Sequence, residues 1–234
     1  MSGHLNPGGQ QFRGDRGAAD PRVTAVLAAY QAGQGSERAA LTALAATRLL
    51  VPVIAVLSDG AATPEQGDKD SEMVLPKLIG RDGRPAVLAF TSLDALARWR
   101  PDARPVPAEA DRVWRAAVAD GCAVVIDVGG PVPLAVEGAR LTALAAGQPV
   151  PPPHEDPDIS AEVLAATADE PAIAGFSLAP GRADATDLTV TLYLARAGSA
   201  PAPEQGPAVN RAAAGLAVRL GARLRRGIEV IIAE

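Results

Sequence analysis

Asp127 closes the apolar run "AVVID" and is followed by Val128 and the pair Gly129-Gly130. A carboxylate at the C-terminal end of a buried strand sits where α/β folds commonly hold a reacting group. An aspartate before glycines also initiates turns by accepting from nearby backbone N–H groups. Asp127 is the first choice for an acid–base site, but no partner base accompanies it. Asp68, Asp70 and Glu72 alternate in "DKDSE". An EF-hand loop begun at Asp68 would need a glycine at position 73 and a bidentate acid six residues on, where Met73 and Ile79 stand. The segment therefore reads as a solvated loop, with weak divalent-ion or partner contact as the alternative.

Basic residues gather in two places. Arg98, Arg100 and Arg104 lie within "FTSLDALARWRPDARP" and are expected to face outward while Trp99 packs inward. Arg211, Arg219 and Arg223 fall opposite the apolar stripe of the last expected helix (Val209, Ala213, Leu216, Ala217, Leu220 and Leu224), with Arg225 and Arg226 just beyond. Arginine near a helix C-terminus suits the helix dipole, so a solvated face accounts for them. An anion or RNA patch is the alternative, although no aromatic residue interleaves the arginines to stack bases.

Other chemistries find little support. His4 lies in a Gly- and Gln-rich tail and His154 in a proline-rich segment, so neither a Ser-His-Asp triad nor a histidine metal site is expected. "GFSLA" lacks the second glycine of a nucleophile elbow. The single cysteine, Cys122, excludes an intramolecular disulfide and reads as a small buried apolar residue. Nothing in the sequence points to a cofactor. Gly80-Arg81-Asp82-Gly83 lies between two strand-like runs, so it is a hairpin turn and not a phosphate loop. A phosphate loop would lead into a helix, whereas a strand follows here.

The elements that must position these residues follow from local signals. Residues 1–19 read as a disordered tail. Asp20 and Pro21 open a helix with Val23, Val26, Leu27 and Tyr30 on one face, and Gly33 ends it. Ser36 opens a second, with Ala40, Leu41 and Leu44 inward. "RLLVPVIAVLSD", "MVLPKLIG" and "RPAVLAFTS" read as strands, with Pro52 marking an edge, a bulge or a strand start. Thr91 is expected to cap a helix carrying Leu93, Leu96 and Trp99. A further helix buries Val113, Trp114, Ala117 and Val118 and stops at Gly121. "AVVID" and "VPLAVE" complete a β-β-β-α-α-β-β order. After the proline-rich acidic linker 147–158, Ser160 is expected to cap a helix. Two strands, a helix over about 207–224 and the strand "IEVIIAE" follow, giving an α-β-β-α-β unit. Strand, helix, strand in that order implies a parallel crossover. The expected class is α+β: a mixed β-sheet with flanking helices in two α/β units, 20–146 and 159–234.

Composition narrows the function classes. The chain has 234 residues, 48% hydrophobic but only 3% aromatic, so Ala, Val and Leu must build the core. A net charge of −5 argues against a protein that coats nucleic acid. The N-terminus shows no signal-peptide pattern and no run is long enough to span a membrane, so a bacterial cytoplasmic protein is expected.

The segments "RLLVPVIAV", "DKDSEM", "GRDGRPAVLAFTSLDALARW" and "VVIDVGGPVPLAVEG" resemble, in their order, the SseB family of bacteria in its actinobacterial form. This is the family named for enhanced serine sensitivity. The resemblance covers about 45–145, with a weaker likeness of pattern from 160 onward. It implies a two-part α/β protein with an SseB N-terminal domain, and it brings no catalytic residue. The leading expectation is a cofactor-free, non-catalytic binding or regulatory module whose partner is another protein. The alternatives are an enzyme using Asp127, and an anion- or RNA-binding accessory using the C-terminal arginines.

Overall fold

A computed structural model describes residues 12, 14–57, 71–74, 76–80, 83–130, 132–183, 185–195 and 202–233. In chain order its elements are α1 (Pro21–Gln31), α2 (Glu37–Ala45), β1 (Arg48–Leu57), β2 (Ser71–Val74), β3 (Lys77–Ile79), β4 (Pro85–Ala89), α3 (Leu93–Trp99), β5 (Arg104–Glu109) and α4 (Ala110–Ala119). They continue as β6 (Ala123–Ile126), β7 (Leu134–Val136), α5 (Gly138–Ala145), α6 (Pro157–Thr167), β8 (Ile173–Pro180), β9 (Leu188–Leu194), α7 (Ala202–Leu220) and β10 (Ile228–Ala233). The fold is α+β, as expected. The described residues form two units, one drawn from 1–23 and 44–148, the other from 24–43 and 149–234. The helices over 24–43 thus belong with the C-terminal half, which differs from the continuous 20–146 unit expected.

In the first unit β1 pairs antiparallel with β5 over 48–53 and with β2 over 54–57. Three prolines sit in this ladder without breaking it, and the reason is their spacing. Leu50 exchanges backbone bonds of 2.7 and 2.8 Å with Phe90, so its N–H and C=O point away from β5. Two residues on, Pro52 also turns its nitrogen away from β5. Pro107 and Pro105, opposite Leu50 and Pro52, turn theirs to the outer edge. Every missing donor is therefore one that the β1–β5 ladder does not use. Pro52 stands where β1 is locally an edge, between the Phe90 bridge and the start of the β2 ladder.

The second sheet has the order β3-β4-β6-β7, antiparallel, parallel, antiparallel. The expected single strand "MVLPKLIG" is two: β2 joins β1, and β3 joins β4 after Pro76. β3 and β4 pair as the expected hairpin, with Gly80 N–H on the Arg84 carbonyl (2.8 Å) and Gly83 at φ +80°; Arg81 and Asp82 lie outside the described residues. Leu50, Leu88, Phe90, Ala95, Leu96 and Ala103 form the core beside this sheet. Burying each large side chain among them contributes about 1.5–3 kcal/mol. On α4, Val113, Trp114 and Ala117 are buried, but Val118 is exposed, contrary to expectation. Cys122 is buried and free. The helix α5, buried through Leu141 and Leu144, was not expected.

The end of the expected tail is held in place. Asp15 pairs with Arg48 (2.6 Å), and the Leu93 N–H donates to the Gly17 carbonyl (2.8 Å). Residues 1–11 and 13 lie outside the described residues.

In the second unit Leu188, Val190 and Leu192 of β9 are fully buried against α6 and α7, as the alternation requires. β9 runs parallel to β10 and antiparallel to β8. The buried stripe of α7 is Val209, Ala212, Leu216 and Leu220; Ala217, expected inward, faces solvent. The helix begins five residues before Pro207, not at it. The 147–158 segment is not the solvated linker expected. Val150 is buried and its carbonyl accepts from Arg38 Nε (3.0 Å), and a single 3-10 turn forms at Pro153–Glu155. The buried Asp156, not Ser160, caps α6, accepting from Asp158 N–H (2.9 Å) with Pro157 in the first turn. Tyr30 of α1 reaches the Ala222 carbonyl (2.8 Å) and carries Arg225 over its ring. No described helix is long and apolar enough to cross a membrane.

Candidate functional site

β4 and β6 are parallel neighbours, paired Ala89 to Ile126 at their ends. Phe90-Thr91 and Asp127 therefore leave the sheet side by side. The Asp127 N–H donates to the Ala89 carbonyl (2.9 Å), and its φ of +48° lies in the left-handed region that aspartate tolerates better than most residues. Its side chain turns to Thr91. Oδ1 accepts from the Thr91 N–H (2.8 Å) and Oδ2 from the Thr91 hydroxyl (2.6 Å), all of it buried.

The turn after Asp127 closes because it is built from glycines. A Cβ on Gly130 would lie 2.9 Å from Asp127 Cβ and 3.0 Å from its carbonyl oxygen. One on Gly129 would lie 3.1 Å from the backbone of Trp99, whose ring tilts onto Phe90 with centroids 5.5 Å apart. The sequence signal placed the α3 cap at Thr91. Its hydroxyl is taken by Asp127, and Ser92 caps the helix instead, accepting from Ala95 N–H (3.1 Å).

Burial pushes the Asp127 carboxyl above its ordinary value, opposed by the two Thr91 hydrogen bonds and the charge of Arg98. A raised buried carboxylate is a common mark of an acid–base group. Here both oxygens serve Thr91, across the chain and not within a local turn. What the arrangement does is fix the start of α3 to the end of β6.

The remaining expected residues divide. Arg98 and Arg104 are exposed on α3 and β5, and Arg100 is exposed beside Asp102 (3.1 Å). Asp68 and Asp70 lie outside the described residues. Glu72 is a residue of β2, opposite Val56, and not of a loop.

The C-terminal arginines do not form a free patch. Arg219 pairs with Glu162 (2.9 Å), Arg211 doubly with Glu170 (2.7 Å each), and Arg226 with the buried Asp187 (2.8 Å). Arg223, expected on the solvated face, follows α7 and inserts between Glu37 (3.2 Å) and Asp156 (2.6 Å). Burial works against its charge, but the two carboxylates outweigh it and raise its affinity for the proton. Glu37 and Asp156 were missed as partners, since nothing local distinguishes them from other acids near helix starts.

Fold and site together define an α+β protein of two units in which the most promising acid positions a helix. The family model of the SseB protein N-terminal domain matches residues 23–143, just over half of the chain. The chain belongs to the SseB family. No match was found among curated proteins or among solved structures.

Proposed function

We propose that this SseB-family protein is a non-catalytic binding or regulatory module of the bacterial cytoplasm that engages another protein through α3 and the turn that follows it. The observation that supports this reading is the Asp127–Thr91 contact, which anchors an exposed segment from beneath. That segment presents Leu93, 38% exposed, together with Arg98, Arg100 and Arg104. An apolar residue among arginines suits a partner surface that carries acidic side chains around an apolar contact. An enzyme centred on Asp127 is less favoured because the carboxylate is already bonded through both oxygens. An anion or RNA patch is less favoured because Arg211, Arg219, Arg223 and Arg226 each face a carboxylate.

The test is affinity capture from native extract at low and high salt, using the intact chain, Asp127→Asn, and the Arg98→Glu/Arg104→Glu pair. A stoichiometric protein kept by Asp127→Asn and lost by the charge reversal is expected. Enrichment of no protein at either salt overturns the reading.

A further inference from the structure

We propose that the free edge of β10 pairs antiparallel with β10 of a second copy of this chain, joining two three-stranded sheets into one of six strands. The inference is independent of the α3 surface proposed above. Among the described residues the order is β10-β9-β8, so β10 is an edge, and all six of its residues hold register with β9. The Asp187 N–H bonds the Gly227 carbonyl (2.9 Å), so the peptide that follows turns the Ile228 N–H outward. By the two-residue alternation of a strand, Ile228, Val230 and Ile232 present their N–H and C=O groups at the edge, while Glu229, Ile231 and Ala233 hold β9.

Ile231 and Ile232 point to opposite faces, yet they are 45% and 53% exposed. An occupant lying on one face would cover only one of them. A strand laid along the edge covers both. The edge also lacks the features that natural sheets use to discourage pairing: no lysine, no proline and no bulge lies within Ile228–Ala233.

Charge favours a second copy as that strand. The only charged side chain among these six residues, Glu229, is already held by Arg182, just after β8, and by Thr189 of β9. A two-fold axis at Ile231 sets Ile231 against itself and Val230 against Ile232, and it places Glu229 opposite the small Ala233. This register bonds the outward-facing residues 230 and 232 to one another and leaves Ile231 as a non-hydrogen-bonded pair. Moving the axis to Val230 would set Glu229 against the exposed Ile231. Six residues of edge bury less than the ~800 Å² per partner of a standard interface, so the association is weak and rises with concentration.

Sedimentation of the full chain from low to high micromolar concentration tests the proposal, alongside Ile231→Lys and Ile232→Pro. The proline removes an outward donor and leaves the β9 ladder intact; circular dichroism checks that both variants fold. A reversible monomer–dimer equilibrium abolished by both variants is expected. Ile231→Cys should give a disulfide-linked dimer on mild oxidation, while Glu229→Cys should not, because Cα atoms of a non-hydrogen-bonded pair approach to about 4.5 Å. A monomer at every concentration, which would leave the edge to a foreign strand, overturns the proposal. So does a dimer that folded Ile231→Lys and Ile232→Pro leave unchanged, or a dimer whose Ile231→Cys form does not crosslink.

Discussion

The Thr91 hydroxyl lies 2.6 Å from Oδ2 of Asp127 and the Thr91 amide 2.8 Å from Oδ1, so one carboxylate holds both hydrogen-bond donors of a residue 36 positions away. Replacing Asp127 by asparagine keeps an acceptor for the amide and a side chain that accepts positive φ. Alanine leaves a buried N–H and hydroxyl without their partner. Asp127→Ala is expected to cost about 1–3 kcal/mol, and Asp127→Asn distinctly less. Urea unfolding of the two variants measures the difference, and a cycle with Thr91→Ala isolates the coupling.

Two carboxylates give opposite pH dependences. The folded Asp127 carboxyl binds its proton more tightly than the unfolded one, because it is buried. Its contribution to stability is therefore greatest below the ordinary value of about 3.9 and declines as pH rises through the window up to the raised folded value. Glu170 is held below its ordinary value by Arg211. Its contribution is present above the ordinary value and is lost as pH falls through the lowered one. Unfolding midpoints measured from about pH 3 to 7 should show Asp127→Asn gaining on the parent chain as pH rises. Glu170→Gln should remove part of the loss at the acid end.

Arg223 and Arg219 form a contrast in burial. Arg223 stands between Glu37 and Asp156, whose side chains are almost fully enclosed, whereas Arg219 and Glu162 are each 43% exposed. Arg223→Met is expected to cost about 3–5 kcal/mol, because it removes the guanidinium from two buried carboxylates. Arg219→Ala is expected to cost under about 1 kcal/mol, because water screens an exposed pair. Denaturant unfolding of the two variants checks the ranking.

Gly129 and Gly83 separate contact from conformation. A methyl at Gly129 presses on the Trp99 backbone at 3.1 Å, while one at Gly83 meets nothing within 4 Å but must accept φ +80°. Gly129→Ala is expected to cost about 1–3 kcal/mol through overpacking and to shift the tryptophan fluorescence. Gly83→Ala is expected to cost about 1–2 kcal/mol through its backbone alone and to leave the emission unchanged.

The local half of this structure was legible in the chain. Asp20-Pro21 starts α1, with Asp20 Oδ1 accepting from the Arg22 N–H; Gly83 turns the hairpin; Leu188, Val190 and Leu192 alternate into the core. Each signal acts within a few residues, where backbone sterics and side-chain period decide the outcome. Small residues blurred the reading of α7, since Ala212, Ala213 and Ala217 look alike to any periodicity. Pro105 and Pro107 lie within β5, and only the orientation of Leu50 toward Phe90 shows why the ladder tolerates them.

The partnerships of Asp127, Thr91 and Arg223, and the grouping of residues 24–43 with 149–234, were decided by tertiary structure. From the sequence alone Asp127 was a strand-end acid, Thr91 a helix cap and Arg223 a solvated cation, each a sound local choice. A carboxylate, a hydroxyl and a guanidinium have many acceptable partners along a chain. Which of them meet depends on how the sheets bring strand ends and helix starts together, and burial then makes the chosen pairing costly to undo.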